Sequence, residues 1–382
     1  MSEKQSLYIH IPFCVRKCFY CDFYSVAVSL QTGHTADLTA VYTKALINEI
    51  KLKSCQNFIT SNEIETIYFG GGTPSILSIK LIEQILSALY KHFKIDKACE
   101  ITMEVNPGTI DKKFLGDLKT LGVNRLNIGV QSFNDEKLKF LGRIHSAEQA
   151  ENAIAHSRDA GFENIGIDLI YGIPHQSKKS FISDLAKAIS YKLEHLSCYM
   201  LTFEKNTQLY NKLKQGKIKS VAKEELSDFF IKTSDFLTLN NYVHYEISNF
   251  AAGLNHRSIH NSNYWNQTSY HGFGASAHSF DKKTRFWNHP DIKRYINDLD
   301  KEVLPMGGRE ILTSEQTVIE MIMLGLRCKN GINLKKLEGC FNNILAMLEK
   351  EKLGMKNHNR FALTQKGMCH LDDITQLFVD FI

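Results

Sequence analysis

Short apolar runs alternate with longer amphipathic stretches over the first half of the chain, and that order predicts a repeating strand–helix unit. The runs 7–13 (LYIHIPF), 66–69 (TIYF), 100–105 (EITMEV), 125–130 (RLNIGV), 164–170 (NIGIDLI) and 195–203 (HLSCYMLTF) are β-branched or aromatic and mostly stop at Gly, Pro or Asn, which predicts six strands. Between them, 37–58, 78–93, 111–121, 146–160 and 178–192 carry helical spacing and are long enough for the crossovers that parallel strands require. Such alternation folds as an open doubly wound sheet or as a closed or partly closed barrel. Six units without a G-x-G-x-x-G turn favour an α/β fold built as a partial (βα)6 TIM-like barrel.

Polar residues collect where these strands stop. Gly70–Thr73, Glu104 with Asn106, Gln131 with Ser132, and Asp168 with Tyr171 stand at or just after the ends of different strands. In a parallel barrel those ends share one mouth, so they predict one site assembled from distant segments. Taken one at a time, each is equally a helix cap or a turn residue. After residue 205 the pattern changes to a helical stretch (222–240), a strand-like 242–248 and a loop rich in His, Asn and aromatics over 253–290. From Thr313 it reads as a small separate unit: helices at 314–328 (with Ser314 as candidate cap), 333–340 and 341–351, then RFALTQKG and a last helix at 371–380. That order resembles a winged helix. The expected division is 1–245, 246–312 and 313–382.

Composition narrows the classes. Of 382 residues 43% are hydrophobic and 23% charged, as in ordinary globular chains, which excludes disorder, collagen and coiled coil. No run approaches the roughly 20 apolar residues of a membrane helix, and Met1 to Ser6 is polar, so a cytoplasmic protein without a transmembrane segment is expected, peripheral membrane contact being left open. The net charge of +5 is small, and residues 310–382 balance nine Lys+Arg against nine Asp+Glu, unlike a nucleic-acid-reading module.

Three of the nine cysteines fall within eight residues: Cys14, Cys18 and Cys21 form C-x3-C-x2-C directly after the first strand. A [4Fe–4S] cluster usually takes four Cys ligands, so three would leave one iron open for a small molecule. The alternatives are structural zinc with His10 as fourth ligand, or buried free thiols. The other cysteines, Cys55, Cys99, Cys198, Cys328, Cys340 and Cys369, read as buried thiols.

A C-x3-C-x2-C loop after the first strand of a six-unit partial barrel resembles the radical S-adenosylmethionine (SAM) superfamily. The resemblance implies that the methionyl amine and carboxylate of SAM chelate the open iron and that an electron from the cluster can cleave the sulfonium. It implies a SAM role for Gly71, Gly72 and Thr73 in the GGGTP segment, whose backbone would approach the amino-acid moiety, and for Tyr8, Glu104, Gln131, Arg143 and Asp168, which match SAM-contacting positions of the heme-biosynthetic branch.

Two members of that branch compete, the oxygen-independent coproporphyrinogen III dehydrogenases and the HemW-type heme chaperones. The former carry C-x3-C-x2-C-x-C, where this chain has Phe23, and a substantial segment before the first strand, which here begins at Leu7. His260-Asn-Ser-Asn-Tyr264-Trp265 reads H-N-x-x-Y-W and resembles the chaperones' motif, making His260 the heme-ligand candidate, with Tyr264 and Trp265 packing near the ring and His256, His271 and His278 as competitors. The resemblance therefore implies three cofactors (a [4Fe–4S] cluster, SAM and heme), a heme-accepting protein, an electron donor if SAM is cleaved, and no coproporphyrinogen III dehydrogenase activity. A nucleic-acid modifier is the reading from another class, and the neutral C-terminal unit speaks against it.

Overall fold

The computed structural model of the chain describes residues 4–29, 33–55, 63–337 and 341–381. All six predicted strands are present: β1 (Gln5–Ile11), β2 (Ile64–Gly71), β3 (Ile95–Val105), β4 (Arg125–Gln131), β5 (Ile165–Tyr171) and β6 (His195–Met200). The first ends before Pro12, which has no N–H to give a ladder, rather than at Phe13. The crossovers are α1 (Gly33–Cys55), α2 (Ile79–His92), α3 (Lys112–Thr120), α4 (Asp135–Leu141), α5 (Ala147–Asp159) and α6 (Lys178–Ser190). The short α4 was not expected. It starts on an Asn134 cap to the Lys137 N–H and stops at Gly142, whose φ of 77° is a left-handed conformation that costs glycine little.

The chain then runs through α7 (Gln208–Lys214), α8 (Lys223–Leu239), β7 (Val243–Glu246), β8 (Asn249–Ala251), α9 (Ile259–Trp265), β9 (Tyr270–Phe273), β10 (His278–Asp281), β11 (Thr284–Asn288), α10 (Ile292–Asp300) and β12 (Met306–Ile311). The expected loop at 253–290 is thus corrected to a helix and three strands. Its His- and Gly-rich residues have little β-propensity of their own. They become extended because β9 pairs in parallel with β1, Tyr8 opposite Gly272.

Two compact units result, each drawn from separated segments: residues 1–169, 202–218 and 268–310 in one, 170–201, 219–267 and 311–382 in the other. The first is built on a sheet of order β12-β11-β10-β9-β1-β2-β3-β4-β5, parallel from β9 to β5 and open rather than closed into a barrel. In the second, β6 and β7 flank β8, both antiparallel to it. The second unit also contains α11 (Ser314–Arg327), β13 (Ile332–Asn333), α12 (Asn342–Lys350), β14 (Gly354–Asn357), β15 (Arg360–Leu363) and α13 (Leu371–Val379), with β13-β15-β14 forming an antiparallel sheet, as the winged-helix expectation requires. Two details differ. Thr313, not Ser314, caps α11 in a capping box with Gln316, and a short strand and 3-10 turn replace the helix expected from 333. Residues 338–340, with Cys340, lie outside the described residues. No described helix is long and apolar enough to cross a membrane.

Strand parity positions the site. Leu7, Ile9, Ile67, Phe69, Ile101, Met103, Leu126, Ile128, Ile165 and Ile167 alternate onto one face of the sheet and are almost fully buried. Parallel strands covered on both sides are usually apolar throughout, but here the opposite face carries Tyr8, Tyr68, Gly70, Thr102, Glu104, Arg125, Asn127 and Asp168.

Candidate functional site

The pairing register sets these polar residues side by side. Tyr8 is opposite Tyr68, and Glu104 is opposite Asn127. Tyr68 donates its hydroxyl to Glu104 Oε1 at 2.7 Å and stacks on Tyr8, ring centroids 6.2 Å apart. Asn127 Nδ2 donates to Asp168 Oδ2 at 2.8 Å. Burial raises the Glu104 carboxyl to about 7; Tyr68 and the Gly71 N–H partly offset that rise, and the neighbouring Asp168 adds to it. The sequence reading singled out Tyr8, Glu104 and Asp168 but missed Tyr68, Asn127 and Arg125. Their signal was the alternation itself: polar side chains at every second position of strands that should be apolar on both faces.

The cysteine loop is fastened from several sides. Gly72 N–H donates to Ile11 C=O (2.9 Å) and Thr73 N–H to Phe13 C=O (2.7 Å), while the Thr73 hydroxyl lies 3.6 Å from Cys14 Sγ. Those two N–H groups hold the cysteine loop against the end of β2. Gly71 has a φ of 105°, and a Cβ there would fall 2.5 Å from the His10 ring, so the glycine is demanded by close packing. His10 uses both ring nitrogens, Nδ1 with the Tyr8 hydroxyl (3.1 Å) and Nε2 with Tyr24 C=O (3.0 Å).

From the far side, Phe19 N–H donates to Leu141 C=O (3.0 Å), Leu209 N–H donates to Phe19 C=O (2.9 Å), and Arg16 Nε donates to Gly142 C=O (3.2 Å). Arg143 Nη1 lies 3.4 Å from Cys18 Sγ, and its Nη2 donates to Gly129 C=O at 2.7 Å. Gln131 ends β4 with a φ of 66° and is buried; its amide nitrogen Nε2 and the Arg143 Nη2 both crowd the place where Gly129 has no side chain. Tyr20, hydrogen-bonded to Arg143, feels Cys18, Cys21 and Asp168, so the thiol loop and the carboxylate face share one electrostatic neighbourhood. Cys14 is buried and Cys18 and Cys21 are half-buried. Burial pushes the Cys14 thiol up and the Cys21 thiol up to about 11. Among the described residues no three His, Cys, Asp or Glu side chains are gathered tightly enough to form a finished metal cage.

A buried network behind β1 was also missed. Glu49 accepts from Gly274 N–H (2.8 Å), Asn288 Nδ2 (2.7 Å) and the Tyr295 hydroxyl (2.6 Å), and Lys53 Nζ lies 2.7 Å from it and donates to Gly272 C=O at 2.7 Å. Tyr42 donates to His10 C=O at 2.8 Å and accepts from Ala275 N–H at 3.0 Å. The 272–275 turn is thereby bolted to α1 and to His10. An i, i+4 Glu–Lys pair on a helix reads from sequence as a solvated face, which hid it.

In the second unit, His260 lies in α9, capped by Ser258, and is 1% exposed. Its Nε2 is 2.9 Å from the Tyr264 hydroxyl, and the Arg327 guanidinium covers Trp265 at 4.4 Å. Of the competitors, His256 is half-buried in the second unit; in the first, His271 is buried, and His278 is exposed and stacked on Trp287 at 5.7 Å.

Comparison with known proteins agrees with this architecture. Residues 8–188 match the model of the radical SAM superfamily, and residues 312–370 match that of the HemN C-terminal domain. The chain is 34% identical over 374 residues to the heme chaperone HemW of Lactococcus lactis, covering 98% of this chain and 94% of that one. It is 39% identical over 275 residues to the heme chaperone HemW of Escherichia coli, covering 72% and 69%. The structure of coproporphyrinogen III oxidase (HemN) from Escherichia coli, described as a radical SAM enzyme, superposes with a TM-score of 0.82 at 25% identity, covering 100% of this chain and 91% of that one. Strand order, cysteine loop and similarity along the length of the chain agree: it belongs to the radical SAM superfamily and, within it, to the HemW family.

Proposed function

We propose that the chain is a heme chaperone: it holds a [4Fe–4S] cluster on Cys14, Cys18 and Cys21, binds SAM on the polar face of the sheet, carries heme and transfers it to an acceptor protein. The observation that carries this reading is the near full-length similarity to HemW of Lactococcus lactis, joined to Phe23 at the position where the dehydrogenases have a further cysteine.

The residues present fit the groups. Three thiols in one loop, with a hydroxyl on Cys14 and a guanidinium on Cys18, offer ligands and hydrogen bonds to sulfur, the means by which proteins tune such clusters. Because burial raises two of the thiols, loading the cluster would release their protons. Arg143 Nε and Arg125 Nε are buried donors without an acceptor among the described residues, which suits an anionic or hydroxyl-rich ligand on this face. Arg143 would pair with the methionyl carboxylate, and Glu104 and Asp168, held in place by Tyr68 and Asn127, would receive ribose hydroxyls. The cluster, when bound, supplies an open iron and an electron.

For heme, His260 is the proposed iron ligand: its imidazole, now 2.9 Å from the Tyr264 hydroxyl through Nε2, would supply the nitrogen donor. The test is anaerobic reconstitution followed by heme titration of the wild type, His260→Ala and His256→Ala, reading the Soret band alongside the cluster absorbance. The expected result is a changed Soret spectrum or weakened binding for His260→Ala alone. Wild-type behaviour of that variant would remove α9 as the ligand source. The dehydrogenase is the second reading, favoured by the match to HemN. Protoporphyrinogen formed from coproporphyrinogen III, SAM and a reductant well above a no-protein control would establish it and displace the chaperone.

A further inference from the structure

The cysteine loop is rimmed by cations out of proportion to the rest of the chain. Residues 15–23 and 204–218 contain Arg16, Lys17, Lys205, Lys212, Lys214 and Lys217 against only Asp22 and Glu204, an excess close to the +5 of the whole chain. Tertiary structure places the two segments together within one compact unit. Leu209 N–H donates to Phe19 C=O at 2.9 Å, Lys212 Nζ lies 4.8 Å over the Phe19 ring, and Lys217 N–H closes the end of α7 on Lys212 C=O at 3.0 Å. Arg16, Lys17, Lys205, Lys214 and Lys217 are exposed, and so is Phe23, at 68%, two residues beyond Cys21. An exposed phenylalanine and exposed cations on two joined segments that carry the thiols have the composition of a small transient interface: an apolar residue gives contact, and the charge steers encounter without making the complex long-lived.

We propose that this rim is the docking surface for an acidic one-electron carrier protein. The inference rests on the cluster reading above, since it supplies the reason for a carrier to dock at this loop. The exchange balances simply: one electron leaves the reduced flavin or iron–sulfur centre of the carrier and enters the cluster, with no bond made or broken. Charge complementarity selects an acidic partner, and the position of the rim on the cysteine loop selects a redox protein over other polyanions. Lys17 adjoins Cys18 in the chain, so a partner seated on the rim is brought to the thiol loop itself.

The experiment uses reconstituted holoprotein and flavodoxin hydroquinone as the probe. The triple variant Lys205→Glu, Lys214→Glu, Lys217→Glu is compared with the wild type and with a charge-matched control, Lys91→Glu, Lys94→Glu, Lys97→Glu. The control residues sit around the end of α2 and the start of β3, at the opposite end of the sheet from the cysteine loop. Stopped-flow association at about 50 mM salt should slow at least tenfold in the rim variant, with a shallower salt dependence, and stay near wild type in the control. Reduction by dithionite, which needs no docking, should give the same cluster absorbance loss in all three proteins. Equal association rates for rim variant and wild type would overturn the surface while leaving the cluster intact. So would rim-dependent binding to phosphatidylglycerol vesicles or RNA with carrier kinetics unchanged. A protein that takes up no cluster would instead overturn the cluster reading, and this inference with it.

Discussion

Arg143 Nη1 stands 3.4 Å from Cys18 Sγ, across 125 residues of sequence, so one guanidinium belongs both to the thiol loop and to the polar face of the sheet. Glu104 lies on that face without a hydrogen bond to the thiols, which separates two kinds of defect.

Arg143→Ala should damage both functions, weakening SAM binding by about 1.5–3 kcal/mol for one lost charge-assisted hydrogen bond and changing the cluster spectrum through Cys18. Glu104→Ala should lose a similar amount of SAM affinity with the cluster spectrum unaltered. Calorimetry on reconstituted protein checks both, and unchanged affinity in both would mean the polar face is not the SAM site.

Replacing any one of Cys14, Cys18 or Cys21 by Ala should abolish the cluster, because two thiolates cannot hold three of its irons. Iron and sulfide analysis after anaerobic reconstitution is the measure. About one zinc and no sulfide in the wild type would return the loop to the structural-metal alternative.

The raised Glu104 carboxyl predicts a pH dependence. Its folded value, about 7, lies above the ordinary 4.5, so the folded chain keeps a proton that the unfolded chain has released between those values. Stability of the ligand-free protein should therefore fall as pH rises through that window, and Glu104→Gln should remove this part of the slope. SAM affinity should rise from pH 6 to pH 8 as the carboxylate forms. A pH-independent affinity in the wild type would mean that ionisation of Glu104 does not govern binding.

Glu49→Ala should be the most destabilising of these changes, at about 3–5 kcal/mol. It strands the buried Lys53 ammonium and removes the acceptor of Gly274, Asn288 and Tyr295. Denaturant unfolding is the measure, and Glu49→Ala with Lys53→Met should recover part of the loss. A loss below about 1 kcal/mol would show the pair to be reachable by water.

What the sequence by itself determined was whatever depends on short spacing. Three thiols within eight residues must share one loop, and six strands with their crossovers follow from local periodicity, so the common loop and the strand order were both legible. Tyr68 with Glu104, Asn127 with Asp168, and Arg143 with Cys18 are separated by 36, 41 and 125 residues, and only strand register and loop docking make them neighbours. The strands at 270–273, 278–281 and 284–288 were hidden for a related reason. The His, Gly, Asn and Ser residues in and between them read as loop and masked their Tyr, Phe, Thr and Trp, and the ladder begun by β1 on β9 satisfies their backbone groups. Glu49 and Lys53 were not singled out, because an i, i+4 spacing is the same on either face of a helix. Packing of α1 against the 272–275 turn decided that this face is buried, and with it the cost of leaving either charge alone.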